Sequence, residues 1–240
     1  MASSIFDQKN CLLTGATGGI GNHLAFEMAK RNCNLFLTGT SIQKLRSLKL
    51  NLKSSFPKIT VYIFSANLNK FSDISKLSKN VQKKFKKIDI LINCAGVFRV
   101  QPATKNSLND FDTCFNVNVK APFFLSQMVI PKMKQQKWGR IINIGSSSSY
   151  IGFENTTLYT ASKHALLGFS RSLDAEIRKF NIRVFCFSPG SVKTKMGKQV
   201  KKENYSTFIE PKELAEFIIS TAEKDSEFFI PEIFFKRFNS

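Results

Sequence analysis

Short apolar segments alternate along the chain with longer segments in which apolar residues recur every three or four positions. Segments of the first kind are typical of buried parallel strands, and segments of the second kind are typical of amphipathic helices. We predict seven strands, at Asn10–Thr14, Leu35–Thr38, Ile59–Ser65, Ile88–Asn93, Arg140–Gly145, Arg183–Ser188 and Glu232–Phe238. Because helices fill the intervals, the pattern predicts an α/β fold in which a doubly wound parallel sheet has helices on both faces.

Several helix signals accompany this pattern. Ser41 is expected to cap the second helix, because a serine hydroxyl accepts a hydrogen bond from an amide of the first turn. Pro211 is expected to open the last helix, at a position where its missing amide proton costs little. In the first helix, Ile20, Leu24 and Met28 share one apolar stripe.

The length and composition fit one globular unit. The chain has 240 residues, of which 42% are apolar, and no change in composition marks a linker. We therefore expect residues 1–240 to form a single domain. No segment reaches the ~18 apolar residues of a membrane span, and the first ten residues lack the apolar core of a signal peptide. We expect a cytoplasmic protein without a membrane partner.

The residues that commonly hold metals or form disulfides are scattered. The five cysteines are odd in number and never form a Cys-x-x-Cys pair. They are expected to be reduced core residues, and neither a zinc site nor a disulfide framework is supported. The two histidines, His23 and His164, lie on predicted helices, where surface or packing roles are expected for both. We expect no metal site.

The charge of the chain raises a different question. Lysine and arginine total 36 against 17 aspartate and glutamate residues, which gives a net charge of +19. Such an excess is typical of proteins that bind nucleic acid or another polyanion. The lysines are spread along the chain, however, and no nucleic-acid motif accompanies them, so solvated helix faces account for most of them. An RNA-binding or otherwise noncatalytic protein on the same fold remains an alternative.

The segment from Ser146 to Lys163 carries candidate chemistry. Tyr159 and Lys163 are four residues apart, a spacing that places two side chains on one helix face. A phenol is a poor proton donor at neutral pH, but a neighbouring ammonium favours its ionised form. Ser146 directly follows the fifth predicted strand and precedes Tyr159 by thirteen residues, so it could hold a carbonyl oxygen. The set suits proton transfer to a carbonyl, although such a pair is more often one packed ring and one solvated amine.

A glycine-rich turn follows the first predicted strand. Its sequence is Thr14-Gly15-Ala16-Thr17-Gly18-Gly19-Ile20-Gly21. Glycines permit a tight bend and a close approach of the backbone to a pyrophosphate, and the following helix start supplies amide donors. A dinucleotide site ahead of the tyrosine–lysine pair favours the catalytic interpretation of that pair.

These two elements, in this order, resemble the short-chain dehydrogenase/reductase family, and the likeness covers nearly all of the chain. The resemblance implies a Rossmann-like fold and hydride transfer between a nicotinamide and a carbonyl or secondary alcohol. It implies that Tyr159 donates the proton, that Ser146 polarises the oxygen and that Lys163 binds the nicotinamide ribose. Asn118 occupies the position of the asparagine that completes the family's catalytic tetrad, where it would hold a water that links Lys163 to solvent.

The family's cofactor contacts can be carried over position by position. Cys94 departs from the asparagine that is commoner there, a change that contacts made through the backbone should tolerate. The implied cofactor-binding residues are Gly15, Thr17, Gly18, Gly19, Ile20, Gly21, Thr40, Ser41, Asn67, Leu68, Cys94, Ala95, Gly96, Tyr159, Lys163, Pro189, Gly190, Val192 and Thr194.

The type of nucleotide depends on the end of the second strand. An acidic side chain at this point would bind the adenosine ribose and repel a 2′-phosphate. Thr40 and Ser41 occupy the position instead, followed by Lys44 and Arg46. We expect NADP(H) to be preferred, with NAD(H) still possible because the arginine of many NADP-using relatives is missing.

The substrate is less well defined. Through Gly190 the chain most resembles the 3-oxoacyl-[acyl-carrier-protein] reductases, which implies a carrier-linked or small-molecule carbonyl substrate. Their glycine-rich C-terminal segment is missing here, and residues 228–238 are rich in phenylalanine. Another small ketone, an aldehyde or a sugar is therefore the alternative substrate.

The resemblance also implies partners. The helices that carry Asn118 and Tyr159 would pair with their copies in a homodimer or homotetramer. An acidic acyl carrier protein is a possible further partner, because basic residues are expected near the active-site mouth. One group follows Pro189-Gly190 and consists of Lys193, Lys195, Lys198, Lys201 and Lys202, and the other ends these two helices and consists of Lys132, Lys134, Lys137, Arg178 and Lys179. The helix dipole alone also favours cations at such positions.

Overall fold

The computed structural model describes residues 4–200 and 203–238. This part of the chain forms a seven-stranded sheet in the order β3-β2-β1-β4-β5-β6-β7. Every neighbouring pair of strands is parallel, so the predicted doubly wound sheet is confirmed. The strands are β1 (Asn10–Thr14), β2 (Asn34–Gly39), β3 (Val61–Ser65), β4 (Ile90–Asn93), β5 (Gly139–Ile144), β6 (Ile182–Pro189) and β7 (Glu232–Phe235).

Helices cover both faces of the sheet. They are α1 (Gly19–Lys30), α2 (Ile42–Ser55), α3 (Phe71–Lys84), α4 (Leu108–Phe115), α5 (Ala121–Gln136), α6 (Thr157–Ile177) and α7 (Pro211–Glu223). A π-helical turn (Asn116–Lys120) joins α4 to α5. Side chains alternate between the two faces of a strand. Leu13 and Leu37 accordingly pack in the core under α1, α2 and α7, whereas Leu12 and Phe36 pack in the core under α3, α5 and α6.

Three strands are shorter than the sequence predicts. β3 begins at Val61 rather than Ile59, and β4 begins at Ile90 rather than Ile88. Both isoleucines are buried although they precede the hydrogen-bonded ladder, so their apolar character reflects packing and not strand pairing. β7 ends at Phe235 because its partner strand β6 ends at the paired residue Pro189.

The helix signals are confirmed. The Ser41 hydroxyl accepts a hydrogen bond from the Lys44 amide at 3.3 Å, and Pro211 is the first residue of α7. Leu24 and Met28 of α1 are fully buried.

The cysteine thiols and the lengths of the helices bear on disulfides, metal sites and membrane spans. All five cysteine thiols are free. Among residues 4–200 and 203–238, no group of three His, Cys, Asp or Glu side chains could hold a metal ion. The helices in the same ranges are each too short or too polar to cross a membrane.

Candidate active site

A cleft of about 880 Å³ lies along the carboxyl ends of the strands. This edge, where the chain turns to opposite sides of the sheet on either side of β1, is where ligands bind in open parallel sheets. Its volume is in the range of small-molecule sites. The expected site residues that line the cleft are Gly15, Thr17, Gly18, Gly19, Ile20, Gly21, Thr40, Asn67, Leu68, Cys94, Ala95, Gly96, Ser146, Tyr159, Lys163, Pro189, Gly190, Val192 and Thr194.

The glycine turn between β1 and α1 lines this cleft. Gly15 has a φ of +64°, in the left-handed region, and a Cβ atom there would lie 2.7 Å from the Ala95 nitrogen. A Cβ atom on Gly21 would lie 2.1 Å from the Gly15 carbonyl oxygen. Since backbone atoms cannot yield as a flexible side chain can, both positions require glycine.

The start of α1 suits an anion. Gly18 caps the helix without a side chain, and the first helical turn of this described segment contains no acidic residue. The amides at a helix start point outward and carry the positive end of the helix dipole. The turn and the helix start together therefore fit the pyrophosphate of a dinucleotide.

The neighbouring turn after β4 is fixed by Thr14. The Thr14 hydroxyl accepts hydrogen bonds from the amides of Cys94 and Ala95, both at 3.1 Å. Burial raises the pKa of the Cys94 thiol to about 12, although the nearby Lys163 charge acts in the opposite direction. Cys94 is thus a neutral wall residue at physiological pH.

The two hydroxyls after β2 have different surroundings. Thr40 lines the cleft, whereas Ser41 does not. The Ser41 hydroxyl accepts from the Lys44 amide and also lies 3.2 Å from the side-chain oxygen of Gln43. Ser41 therefore caps α2. The sequence predicted, in addition, that Ser41 contacts the cofactor.

Helix α6 brings Tyr159 and Lys163 into the cleft on one face, as their spacing predicts. Both are buried, with exposed fractions of 9% and 4%. The Lys163 Nζ donates to the Ile144 carbonyl at 2.8 Å and lies 5.7 Å from the centre of the Tyr159 ring. A cation at this distance stabilises negative charge that develops on the phenol.

Ser146 lies directly after β5, where a short 3₁₀ turn (Ser147–Ser149) begins. Its hydroxyl accepts a hydrogen bond from the Ser148 amide at 3.1 Å, and its own amide donates to the Ser149 hydroxyl at 3.2 Å. These two bonds orient Ser146 at the cleft, while Ser148 and Ser149 are buried.

Asn118 lies behind the cleft and not in its lining. Its Oδ1 accepts from the Val97 amide at 2.9 Å, and its Nδ2 donates to the Val97 carbonyl at 3.1 Å and to the Ser162 hydroxyl at 3.0 Å. A Cβ atom on Gly96 would lie 3.5 Å from Asn118 Oδ1 and 3.8 Å from Lys163 Nζ. The side-chain amide is thus bonded within the protein, and the water that the resemblance implies for Asn118 stays a prediction.

Several lining residues were not anticipated from the sequence. The Phe98 ring meets the Tyr159 ring edge-on, with 4.7 Å between ring centres. Val100, Phe153 and Met196 also line this end of the cleft. None of these residues belongs to a sequence motif. The only indication of their role in the sequence is that each lies a few residues from a motif.

The basic helix ends do not lie at the cleft of their own chain. Lys134 is 3.5 Å from Glu176 and lies over the Phe180 ring, so the ends of α5 and α6 are adjacent as expected. Lys137, however, lies just before β5, and Arg178 begins the short turn that leads into β6. They therefore lie at the amino edge of the parallel sheet, opposite the cleft, and the expectation that they lie near the mouth is wrong within one chain. Of the other expected basic group, Lys195 lines the cleft, whereas Lys201 and Lys202 lie outside the described residues.

The chain is similar to known proteins along most of its length. The family model described as short chain dehydrogenase matches residues 9–205. The 3-oxoacyl-[acyl-carrier-protein] reductase of Thermotoga maritima is 30% identical over 229 residues, which cover 92% of each chain. Nodulation protein G of a Rhizobium species is 35% identical over 188 residues, 78% of this chain and 75% of the relative. A solved metagenomic short-chain oxidoreductase in complex with NADP has a TM-score of 0.83 at 26% identity, covering 95% of this chain and 96% of the other.

Proposed function

The chain belongs to the short-chain dehydrogenase family and is an NAD(P)-dependent oxidoreductase, and on this premise we propose that it reduces 3-oxoacyl thioesters with NADPH. The observation that supports the proposal most is the position of Tyr159, Lys163 and Ser146 at one end of a cleft that has a glycine turn at its other end. A proton donor and a dinucleotide site are thereby joined in one space.

Each side chain has a separate part in the proposed reaction. A bound nicotinamide cofactor supplies the hydride that adds to the carbonyl carbon. Tyr159 donates its phenolic proton to the carbonyl oxygen, and Ser146 donates a hydrogen bond to the same oxygen. The Lys163 ammonium stabilises the phenolate that remains after proton transfer. Asn118 is a positioning residue, because it clamps Val97 through both backbone groups.

The cofactor would be held mainly by groups whose positions are fixed by neighbouring turns. The glycine turn would hold the pyrophosphate, and Thr40 would face the adenosine ribose. The remaining contacts are assigned to Asn67 and Leu68 for the adenine, Lys163 for the nicotinamide ribose, and Val192 and Thr194 for the carboxamide.

A preference for NADPH is part of the proposal. The acidic residues of the described cleft lining are Glu154 and Glu203, which belong to the loops beside Tyr159 and Val192 and not to the end of β2. A 2′-phosphate next to Thr40 would therefore meet no carboxylate of the described lining. The similar metagenomic oxidoreductase is a complex with NADP.

We also propose that copies of the chain assemble with one another. Leu108 and Phe111 of α4 and Phe123 of α5 are large apolar side chains that are between 46% and 77% exposed. Exposed apolar surface of this kind favours association, so we expect α5 and α6 to pair with their copies in a homodimer or homotetramer. Light scattering after size exclusion measures this, and a monomer at micromolar concentration would contradict it.

NADPH oxidation against a panel of carbonyl compounds tests the proposed activity. The panel contains acetoacetyl thioesters of a small thiol and of an acyl carrier protein, together with simple ketones, aldehydes and sugars. We expect the thioesters to give the highest kcat/KM and NADH to be the poorer cofactor. A higher value for a ketone, aldehyde or sugar would establish the alternative substrate class. Salt-sensitive RNA binding without turnover of any carbonyl would establish the noncatalytic alternative.

A further inference from the structure

Beyond Tyr159 the cleft opens between apolar side chains. We name this opening the apolar mouth and define it by Phe98, Val100, Phe153, Met196 and Val200; Glu154, Asn155, Thr156, Lys195 and Gln199, which belong to the same segments, also line the cleft. Val100, Phe153 and Met196 are 42%, 45% and 37% exposed. Isolated exposed apolar residues are common on proteins, but here three separate segments bring them to one opening, which is typical of a binding surface.

The segment that carries Phe98 and Val100 is held in place from outside. Arg99, which lies between them, forms an ion pair with Asp110 of α4. Asp110 is itself fixed by a capping box with Ser107 at the start of α4. Arg99 is anchored on α4 and does not line the cleft, whereas its two neighbours Phe98 and Val100 do.

The segment that carries Phe153 is fixed in a similar way. The Phe153 carbonyl accepts from the Thr156 hydroxyl at 2.8 Å, which closes a local turn. The Asn155 carbonyl accepts from the Gln101 amide at 2.8 Å, which ties this turn to the segment of Phe98. Two walls of the apolar mouth are therefore preformed in the protein. Met196 and Val200 contribute the third wall, and methionine adapts readily to ligands of different shape.

The apolar mouth continues directly from the reacting end. The edge-on contact at 4.7 Å makes Phe98 an immediate neighbour of Tyr159, so a group attached to the carbonyl carbon would meet apolar surface first. The carboxylate of Glu203, which also lines the cleft, is already bonded to the Ser191 hydroxyl at 2.8 Å and to Arg237 at 2.8 Å. It is thus engaged by two protein groups before any sugar hydroxyl could reach it.

We propose that the apolar mouth binds an uncharged hydrocarbon chain of several carbons attached to the substrate carbonyl. The inference rests on the proposed function in one respect, since it takes Tyr159 as the end at which the carbonyl is held. It narrows the proposed substrate class to carbonyl compounds that carry a medium-chain acyl or alkyl group. Transfer of one methylene from water to an apolar site is worth about fourfold in affinity.

Binding of a homologous series tests the inference without requiring turnover. Calorimetric titration of the NADPH-loaded protein with acetamide, butanamide, hexanamide and octanamide measures how the dissociation constant depends on chain length. These amides offer a carbonyl and an uncharged chain. We expect affinity to rise by about two- to fourfold per methylene in the parent protein. In the double variant Phe153→Ser/Met196→Ser the rise should fall below about 1.5-fold per methylene.

Two further variants serve as controls. Phe228→Ser removes a phenylalanine that is 64% exposed and lies outside the cleft lining, so it should keep the parent's dependence on chain length. Phe153→Leu keeps an apolar side chain and should retain most of that dependence, which separates lost apolar surface from damage to the loop. Thermal melting checks that each variant is folded.

The outcomes separate this inference from the proposed function. A flat amide series in the parent, or equal slopes in the parent and the double variant, would overturn the apolar mouth as a chain site. A steep series that flattens in the double variant supports it, whether or not any carbonyl compound is reduced. Failure to reduce any carbonyl would contradict the proposed function alone.

Discussion

The two ends of the cleft are built from different parts of the polypeptide. The end that we propose for the nucleotide, which we call the nucleotide end, consists of backbone at glycines, where a Cβ atom on Gly15 or Gly21 would lie 2.7 or 2.1 Å from a backbone atom. The reacting end consists of side chains, among them Tyr159, Lys163 and Phe98, which lie against one another. Substitutions should therefore act in opposite ways. An added methyl group should damage the first end, and a removed functional group should damage the second.

The largest effect is expected from removing the proton donor. Tyr159→Phe retains the ring and its contact with Phe98 but loses the hydroxyl, so kcat should fall by about 1000-fold. NADPH affinity should stay within about twofold of the parent, since the nucleotide end is untouched. Steady-state kinetics and a fluorescence titration measure the two quantities. If the variant retained most of its turnover, proton donation by Tyr159 would be wrong.

The converse change adds a methyl group at the nucleotide end. Gly21→Ala forces a Cβ atom against the Gly15 carbonyl, and we expect NADPH affinity to fall by about 100-fold. Gly168→Ala is the matched control, because a Cβ atom on Gly168 would have no neighbour within 4 Å. This helical position should tolerate alanine and gain up to about 1 kcal/mol of stability. Equal affinities in the two variants would show that the glycine turn does not hold the cofactor.

A third variant tests Asn118, which lies behind the cleft between its nucleotide end and its reacting end. Asn118→Ala removes the clamp on Val97 behind Lys163 and should lower kcat and NADPH affinity together, each by about tenfold. Asn116→Ala is the control in the same π-helical turn, since the Asn116 side chain bonds to Asn69. The control should change both quantities by less than about twofold. A loss confined to kcat in Asn118→Ala would favour a direct role in proton relay over positioning.

The smallest effect is expected at the end of β2. Ser41→Ala removes the α2 cap and should lower the free energy of unfolding by about 1 kcal/mol, with NADPH affinity unchanged. Thr40→Ala should show the reverse, because Thr40 lines the cleft and does not cap the helix. Chemical denaturation and cofactor titration distinguish the two. Weaker NADPH binding in Ser41→Ala alone would restore Ser41 as a cofactor residue.

The parts of the site that could be predicted from the sequence depend on short spacings. Tyr159 and Lys163 share a helix face because they are four residues apart, and the glycine turn follows a strand and opens a helix. In each case the residues that the chemistry needs are close together in sequence. The local geometry of one helix or one turn therefore brings them together, and the site can be predicted from that segment alone.

The apolar mouth could not be predicted in this way. Phe98, Phe153 and Met196 come from three distant segments that meet only because β4, β5 and β6 are neighbours in the sheet. Arg140 is a second example, because the basic residues were expected mostly on solvated faces. It is fully buried and bonds to Asp225, a partner 85 residues away that no local pattern indicates.

The prediction for the basic residues at the helix ends was wrong for a similar reason. The resemblance places Lys137 and Arg178 near the mouth, because they end the helices that follow Asn118 and carry Tyr159. Each helix, however, runs from the carboxyl edge of the sheet to its amino edge, so its two ends lie at opposite edges. The last residue of a helix can therefore lie far in space from a site residue at the start of the same helix.

Transfer of deuterium tests most directly that both ends of the cleft serve one reaction. The protein is incubated with acetoacetyl thioester and NADPH deuterated at the transferred position of the nicotinamide, and the product is analysed by mass spectrometry. We predict a hydroxyacyl product that carries one deuterium on the former carbonyl carbon, formed by the parent and not detectably by Tyr159→Phe. A product without deuterium, or equal labelling by both proteins, would contradict the account.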